Sequence, residues 1–412
     1  MQVQRRRQIV SAVFVALGWV GSACQEAPPP EPRGMVAMTD GLSSAEPWRQ
    51  DFAFADMDGD GMRDIVTAPP RKSREPWPHI FLRRPGRWEA VSCPDVAQNG
   101  FPKPRYVYGG VTVADFTESG KMEIALAMHE TGIRILSNTG AGPCGPWVER
   151  TDLPDKMSKL RTRAIAAADM NRDGRMDIVA VSEASGKETD DTTAGVVIFF
   201  NEAAAWRVQH LTGSEDLFGD DVAIGEINGD GVPDIAVGSL IDQRPQFAWL
   251  SDGQGGWLAA STEGLPPYIV AWSVQLIDFD QDGKDELLMG VGGAPIRENS
   301  GPRVYKWDGT RWSDLSQGLP RVSWVSGVAA ADLDRDGKLE IVTAEMYTGT
   351  LQVYGQQPAG ERERREQLKV ADEGKWRNYK VRALPADKEQ EPLIVANYAG
   401  ESDGKILAWV WR

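Results

Sequence analysis

The sequence predicts an all-β fold, a seven-bladed β-propeller of four-stranded blades whose ring is closed by an N-terminal strand. Three observations carry that prediction. An acidic, glycine-containing loop recurs between two apolar runs, starting at Asp56, Asp115, Asp169, Glu226, Asp278 and Asp332. Its mean spacing of about 55 residues is the length of a propeller blade or a similar repeat unit. A third run such as HIFLRR, GVVIFF or RVYKWD follows each loop, and a short fourth run opens on Trp88, Trp147, Trp206, Trp257 or Trp312. Alternating or apolar runs bounded by turn residues are strand signals. Residues 35–412 divide into seven such units of about 54 residues, a blade number that closes a ring.

Composition agrees and narrows the function. Of 412 residues, 41% are hydrophobic and 25% charged, with Gly 43 and Pro 26; this excludes a collagenous, wholly disordered or multi-span membrane chain. The formal charge of −15 argues against nucleic acid or an anionic membrane surface as partner and suits bound cations. Three cysteines and three histidines (His79, His129, His210) give little material for a disulfide framework, a zinc site or a histidine-based catalytic centre.

Taken in chain order, the first element stands outside the fold. Arg5, Arg6 and Arg7 precede an apolar run over 9–20 and then Gly21-Ser22-Ala23-Cys24, the order of an export signal. The segment resembles a bacterial lipoprotein signal peptide, which implies removal of residues 1–23 and a lipid on Cys24; cleavage near Ala23 without lipidation is the alternative. The proline-rich residues 24–34 suit a tether, and the propeller domain occupies 35–412. The expected location is therefore the outer membrane or cell surface, or the periplasm, with membrane contact only through the lipid. Cys93 ends an outer strand and Cys144 sits in the turn before the next one, near opposite faces, so no bond between them is expected.

Blade closure follows from the ends of the repeat. The seventh copy, VRALPADKEQEPLIVANYAG, keeps its apolar runs but has lost the acidic loop, and its third strand ends at Trp411-Arg412. Met35–Ser43 matches the fourth-strand pattern WLAASTEGL that starts at Trp257. Residues near 35–39 are thus expected to complete the last blade and remove its open edge. The repeated fourth-strand tryptophans read as packing between blades.

The acidic loops read as cation sites. The pattern D-x-[DN]-x-D-G-x-x-[DE] presents oxygen ligands at alternate positions of a tight turn, as a hard cation with six to eight oxygen ligands requires. Glycine at the sixth position permits the sharp turn. The first loop offers Asp56, Asp58, Asp60 and Asp64 with the Met62 carbonyl; the third offers Asp169, Asn171, Asp173 and Asp177 with the Arg175 carbonyl. The fourth offers Glu226, Asn228, Asp230, Asp234 and Val232; the fifth Asp278, Asp280, Asp282, Glu286 and Lys284; the sixth Asp332, Asp334, Asp336, Glu340 and Lys338. The second, with Asp115, Thr117, Ser119 and Glu123, has lost charge. Carboxylates packed so densely repel one another unless a cation neutralises them. The expectation is about four to five structural calcium ions, magnesium being less suited to an all-protein oxygen cage.

These repeats resemble the FG-GAP, or VCBS, family of integrin α-subunit propellers and bacterial surface proteins. LFGDDVAIGEINGDGVPDIAVGS carries the leading Phe218-Gly219 pair, and Gly293-Ala294-Pro295 gives the trailing triplet. The resemblance implies a seven-bladed propeller with calcium in the loops of one face and partner binding on the other, and it implies no reaction. Shortly before the loops stand Trp48, Tyr106, Phe218, Trp272, Trp324 and Trp376, with Arg161 in the third copy. Symmetry would gather these aromatics around the central channel on the face opposite calcium, where they could bind a cation, stack on a sugar or simply fill the ring. The expected function is a protein-binding or adhesion scaffold, with a glycan-binding propeller as the alternative and a polysaccharide lyase behind it. His129-Glu130 is the one suggestive acid/base pair, and no residue is assigned as catalytic.

Overall fold

The computed structural model describes residues 34–412 apart from 43–45, 50, 72–76, 92–106, 130, 183–193, 203–204, 241–245, 294, 358–359, 370–376 and 387–389. The chain opens with β1 (Met35–Ala37), which belongs to the last blade. The first blade holds β2 (Phe52–Ala55), β3 (Asp64–Thr67), β4 (Ile80–Arg84) and β5 (Arg87–Ala90). The second holds β6 (Gly109–Ala114), β7 (Glu123–Met128), β8 (Gly132–Asn138) and β9 (Trp147–Glu149). A short helix, α1 (Asp155–Lys159), leads to β10 (Thr162–Ala168), β11 (Asp177–Ser182), β12 (Val196–Glu202) and β13 (Ala205–His210). The fourth blade comprises β14 (Gly219–Gly225), β15 (Asp234–Ser239), β16 (Ala248–Ser251) and β17 (Trp257–Ala259). The fifth comprises β18 (Ala271–Ile277), β19 (Glu286–Val291), β20 (Gly301–Trp307) and β21 (Trp312–Asp314). The sixth comprises β22 (Val325–Ala331), β23 (Glu340–Glu345), β24 (Thr350–Gln356) and β25 (Arg362–Lys369). The last comprises β26 (Arg377–Leu384), β27 (Leu393–Ala399) and β28 (Gly404–Trp411) with β1. Each blade is a four-stranded antiparallel sheet in chain order, the seventh being β26-β27-β28-β1.

The ring closes as the sequence predicts. β1 pairs with β28 through Met35↔Trp411, Val36↔Val410 and Ala37↔Trp409. The Gly34 and Arg412 amides each donate to the other's carbonyl, at 2.7 and 3.0 Å. The edge that three strands would leave open is thereby covered.

Second strands show why the apolar runs do not alternate. β3, β7, β11, β15, β19 and β27 are buried along their whole length, because each is covered on both faces by neighbouring blades. Full burial of each Ile, Leu or Val contributes about 1.5–3 kcal/mol. Trp88, Trp147, Trp257 and Trp312 are buried, and Trp206 is half-buried. Two of them show how a blade is tied to its predecessor. Trp88 Nε1 donates to the Met38 carbonyl at 2.8 Å, and Trp312 Nε1 to the Ser261 carbonyl at 2.9 Å. Gly41 and Gly264 make that approach possible: both hold positive φ, and a Cβ on either would lie 1.9 Å from the Trp88 or Trp312 carbonyl oxygen.

Cys144 is disulfide-bonded, although a chain with so few cysteines gave little reason to expect a bond. The remaining cysteines of the chain are Cys24 and Cys93, and both lie outside the described residues. Strand register fixes residues inside a ladder, but Cys144 lies in the loop 139–146, which no register constrains.

Candidate functional site

The acidic loops join the first and second strands of each blade. Asp56 accepts the Gly59 and Gly61 amides through its two oxygens at 2.7 and 2.9 Å. Asp169 binds the Asp173 and Gly174 amides in the same way, and Asp278 those of Asp282 and Gly283. The Met62, Arg175, Val232, Lys284 and Lys338 amides each donate to the aspartate two positions earlier, Asp60, Asp173, Asp230, Asp282 and Asp336. Asn171 and Asn228 accept the Asp173 and Asp230 amides. Asp115 folds the charge-poor second loop alike, taking the Ser119 and Gly120 amides.

The last acid of each loop opens the second strand and points inward. Asp64, Asp177, Asp234, Glu286 and Glu340 have no exposed surface. Asp64 accepts amides of Met57 and Arg83, both at 2.8 Å; Asp177, Asp234 and Glu340 likewise accept Met170, Ile227 and Leu333. Burial pushes Asp64, Asp234 and Glu340 up to about 7 and Asp177 to about 6, and it raises Glu286 and Glu123 as well. A buried carboxylate of this kind favours a proton or a cation.

Three loops gather their acids closely. In Asp56/Asp58/Asp64, Asp278/Asp280/Asp282 and Asp332/Asp334/Asp336, carboxylate oxygens lie within 4.8 Å of one another. Asp332 Oδ1 is buried without a hydrogen-bond partner. Such all-oxygen sets fit a hard divalent cation.

Sequence reasoning missed an internal cation in each of these three loops. Arg84 pairs with Asp58 and Asp60 at 2.6 and 2.7 Å. Lys306 reaches Asp282 and Glu286 at 2.8 and 3.0 Å, and Arg365 reaches Asp334 and Glu340 at 2.6 and 2.9 Å. Among the described residues no such ion pair reaches Asp169, Asp173 or Asp177. The signal was available as a basic residue on an outer strand of the blades whose loops carry most acid.

The central channel was also missed. Arg382 bridges Asp51 and Asp221 at 2.7 and 3.1 Å, Lys380 approaches Asp221 at 3.4 Å, and Arg163 pairs with Asp220 at 3.1 Å. Ser273 Oγ donates to Asp221 at 2.7 Å. Charged residues inside first strands were its only local signal.

The expected aromatics do not all meet. Trp272 and Trp324 do, with ring centroids 6.0 Å apart and planes 58° from each other, and Tyr347 meets Trp324 edge-on at 5.4 Å. They lie at the starts of β18 and β22, at the opposite strand ends from the acidic loops. Phe218 is half-buried just before β14. Trp48 is only 2% exposed and packs on His79 and Phe81, so it fills the core. Distance from the acidic loop is the same for Trp48 and Trp324, but β2 is shorter than β22, which leaves Trp48 behind its strand. Tyr106 and Trp376 lie outside the described residues. His129 stacks on Tyr108 at 4.7 Å, and Glu130 is outside.

Trp272 and Trp324 wall a cleft of about 310 Å³, together with Tyr268, Gly292, Arg297 and Asn299. The loop between β19 and β20 forms its outer side.

Comparison with known proteins follows the loops. The FG-GAP-like repeat profile matches residues 115–180, 226–289 and 293–343. The chain is 27% identical over 202 residues to cartilage acidic protein 1 of Xenopus tropicalis, covering 45% of this chain and 29% of that protein. It is 28% identical over 134 residues to human integrin alpha-6 (31% and 12% covered) and 33% over 121 residues to human integrin alpha-7 (28% and 10%). The chain thus spans less than a third of the length of these relatives. The solved structure of BBS1N in complex with ARL6DN, soaked with lead, shares the fold with a TM-score of 0.52, covering 90% of this chain and 94% of that one at 9% identity.

Proposed function

We propose that this propeller of FG-GAP-like repeats is a calcium-stabilised binding scaffold, exported and held at the cell surface by a lipid on Cys24, whose partner docks on the face opposite the acidic loops. The observation that supports the partner face is the Trp272–Trp324 cleft, built where strand ends and the β19–β20 loop converge on a rigid ring. Binding loops on a rigid scaffold are how such folds acquire specificity. Calcium would be held by the first, third, fourth, fifth and sixth loops through the residues named above. There it would neutralise the buried acids that open the second strands and fix the geometry of each blade. Among the described residues no helix is long and apolar enough to cross a membrane.

A photoreactive group placed at Tyr268 or at Lys338 of the full chain in its native envelope tests the face. Crosslinks at Tyr268 and none at Lys338 are expected, and the reverse pattern would refute the assignment. Incorporation of labelled palmitate that disappears in Cys24→Ala tests the anchor.

A glycan partner is the second reading, and the cleft favours it over the protein partner that the sequence placed first. Two indoles and a tyrosine around a small, partly polar hollow suit a ring-shaped ligand more than a flat protein surface.

A further inference from the structure

We infer that the cleft between the fifth and sixth blades binds the pyranose ring of a neutral glycan residue, an inference that rests on the partner-face reading above. The rings of Trp272 and Trp324 stand 58° apart at 6.0 Å, so they form an open wedge and neither covers the other. Gly292 allows the wedge: a Cβ there would lie 2.9 Å from Trp272 Cδ1 and 3.1 Å from Trp324 Cα. Trp324 holds φ at +60°, a left-handed conformation that a bulky residue adopts only under constraint, and such strain concentrates at binding sites. Trp272 Nε1 is tucked against Gly292, buried without a hydrogen-bond partner like the indole donors of Trp48, Trp77 and Trp411, so the ring faces and not the N–H are what the wedge offers a ligand.

Those features select the ligand. An aliphatic side chain would use the ring faces and leave the polar edge at Arg297 and Asn299 unused. A cation is opposed by Arg297, over the Tyr268 ring at 5.6 Å, and by Arg377, over the Tyr347 ring at 5.0 Å. A polyanion is opposed by the overall charge of −15. A pyranose offers C–H groups to the indole faces and hydroxyls to the polar edge of the cleft. The cleft volume of about 310 Å³ takes one such ring, and Asn299 and Arg297 lie at its edge to orient hydroxyls.

The test is a screen of the full, calcium-loaded chain against neutral and uronate-bearing oligosaccharides, followed by titration calorimetry with the best of them. Trp324→Gly removes one ring while glycine relaxes the left-handed backbone, so the protein should melt within a few degrees of wild type. Its glycan binding should fall by more than about tenfold. Trp272→Phe keeps a smaller aromatic face, so its loss of glycan binding should be the lesser of the two. The inference is overturned if no neutral glycan binds the folded chain, or if Trp324→Gly binds as wild type does. In the first case crosslinking at Tyr268 still decides the partner face: crosslinks there sink the sugar and leave the scaffold reading standing, and their absence sinks both.

Discussion

At the fourth and sixth positions of the acidic loops the backbone turns left-handed: Gly59 and Gly61, Arg172 and Gly174, Gln281 and Gly283, Arg335 and Gly337 all have positive φ. Those two reversals aim successive amides at the first aspartate and leave the remaining carboxylate oxygens for a cation. At Gly283 nothing lies within 4 Å of a notional Cβ, so Gly283→Ala tests the backbone alone. It should cost about 1–2 kcal/mol in chemical denaturation and weaken calcium binding; an unchanged protein would mean that the loop does not hold this turn. The internal cations make the opposite kind of prediction. Lys306 supplies charge where calcium would sit, so Lys306→Gln should lower metal-free stability: little is lost through Asp280 and Asp282, which are exposed and screened, and more through the buried Glu286. Calcium affinity should rise, because the competing ammonium has gone. Calorimetry that showed weaker calcium binding in Lys306→Gln would disprove the competition.

Elements repeat that logic on a larger scale. β1 contributes three residue pairs to β28, and Met38 just after it is buried and accepts the Trp88 indole at its carbonyl. Deleting 34–39 should therefore lower the melting temperature sharply and expose the edge of β28, with oligomers appearing in light scattering; an unchanged monomeric melt would show that closure is dispensable. Strand identity, blade number and this closure were all legible in the sequence, because packing between blades demands the same residue types at the same spacing seven times. The acidic loops were legible for a similar reason, since oxygen ligands must alternate within one short turn. The aromatic ring was legible only in part. Spacing from the loop picked out Trp272 and Trp324, whose rings meet, but the short β2 left Trp48 in the core. The Cys144 disulfide escaped because a loop has no register from which to argue.

The whole molecule adds contacts that no local pattern announces. Asp51 of the first blade, Asp221 of the fourth, and Lys380 and Arg382 of the last meet only because the ring brings their first strands to one axis. Burial alone would push the Asp221 carboxyl up, but the charges of Lys380 and Arg382 outweigh it and hold the group down at about 2, against 3.8 for a free aspartate. A carboxyl depressed by folding stabilises above its unfolded value and loses that stabilisation as pH falls toward its folded one. Asp221 should thus add stability that is present above pH about 4 and is lost as pH falls below it. The loop acids work in the other direction, because their raised values make protonation stabilise the metal-free fold. Comparing wild type with Asp221→Asn separates the two, since both proteins share the loops. In metal-free solution the variant should be clearly less stable near pH 7, where Lys380 and Arg382 lose a buried counter-charge. The gap between the two melting curves should then close as pH falls from about 5 to 2. A gap that stays constant over that range would show that Asp221 is not held ionised across the axis, and that the blades are tied together by their packing and edge contacts alone.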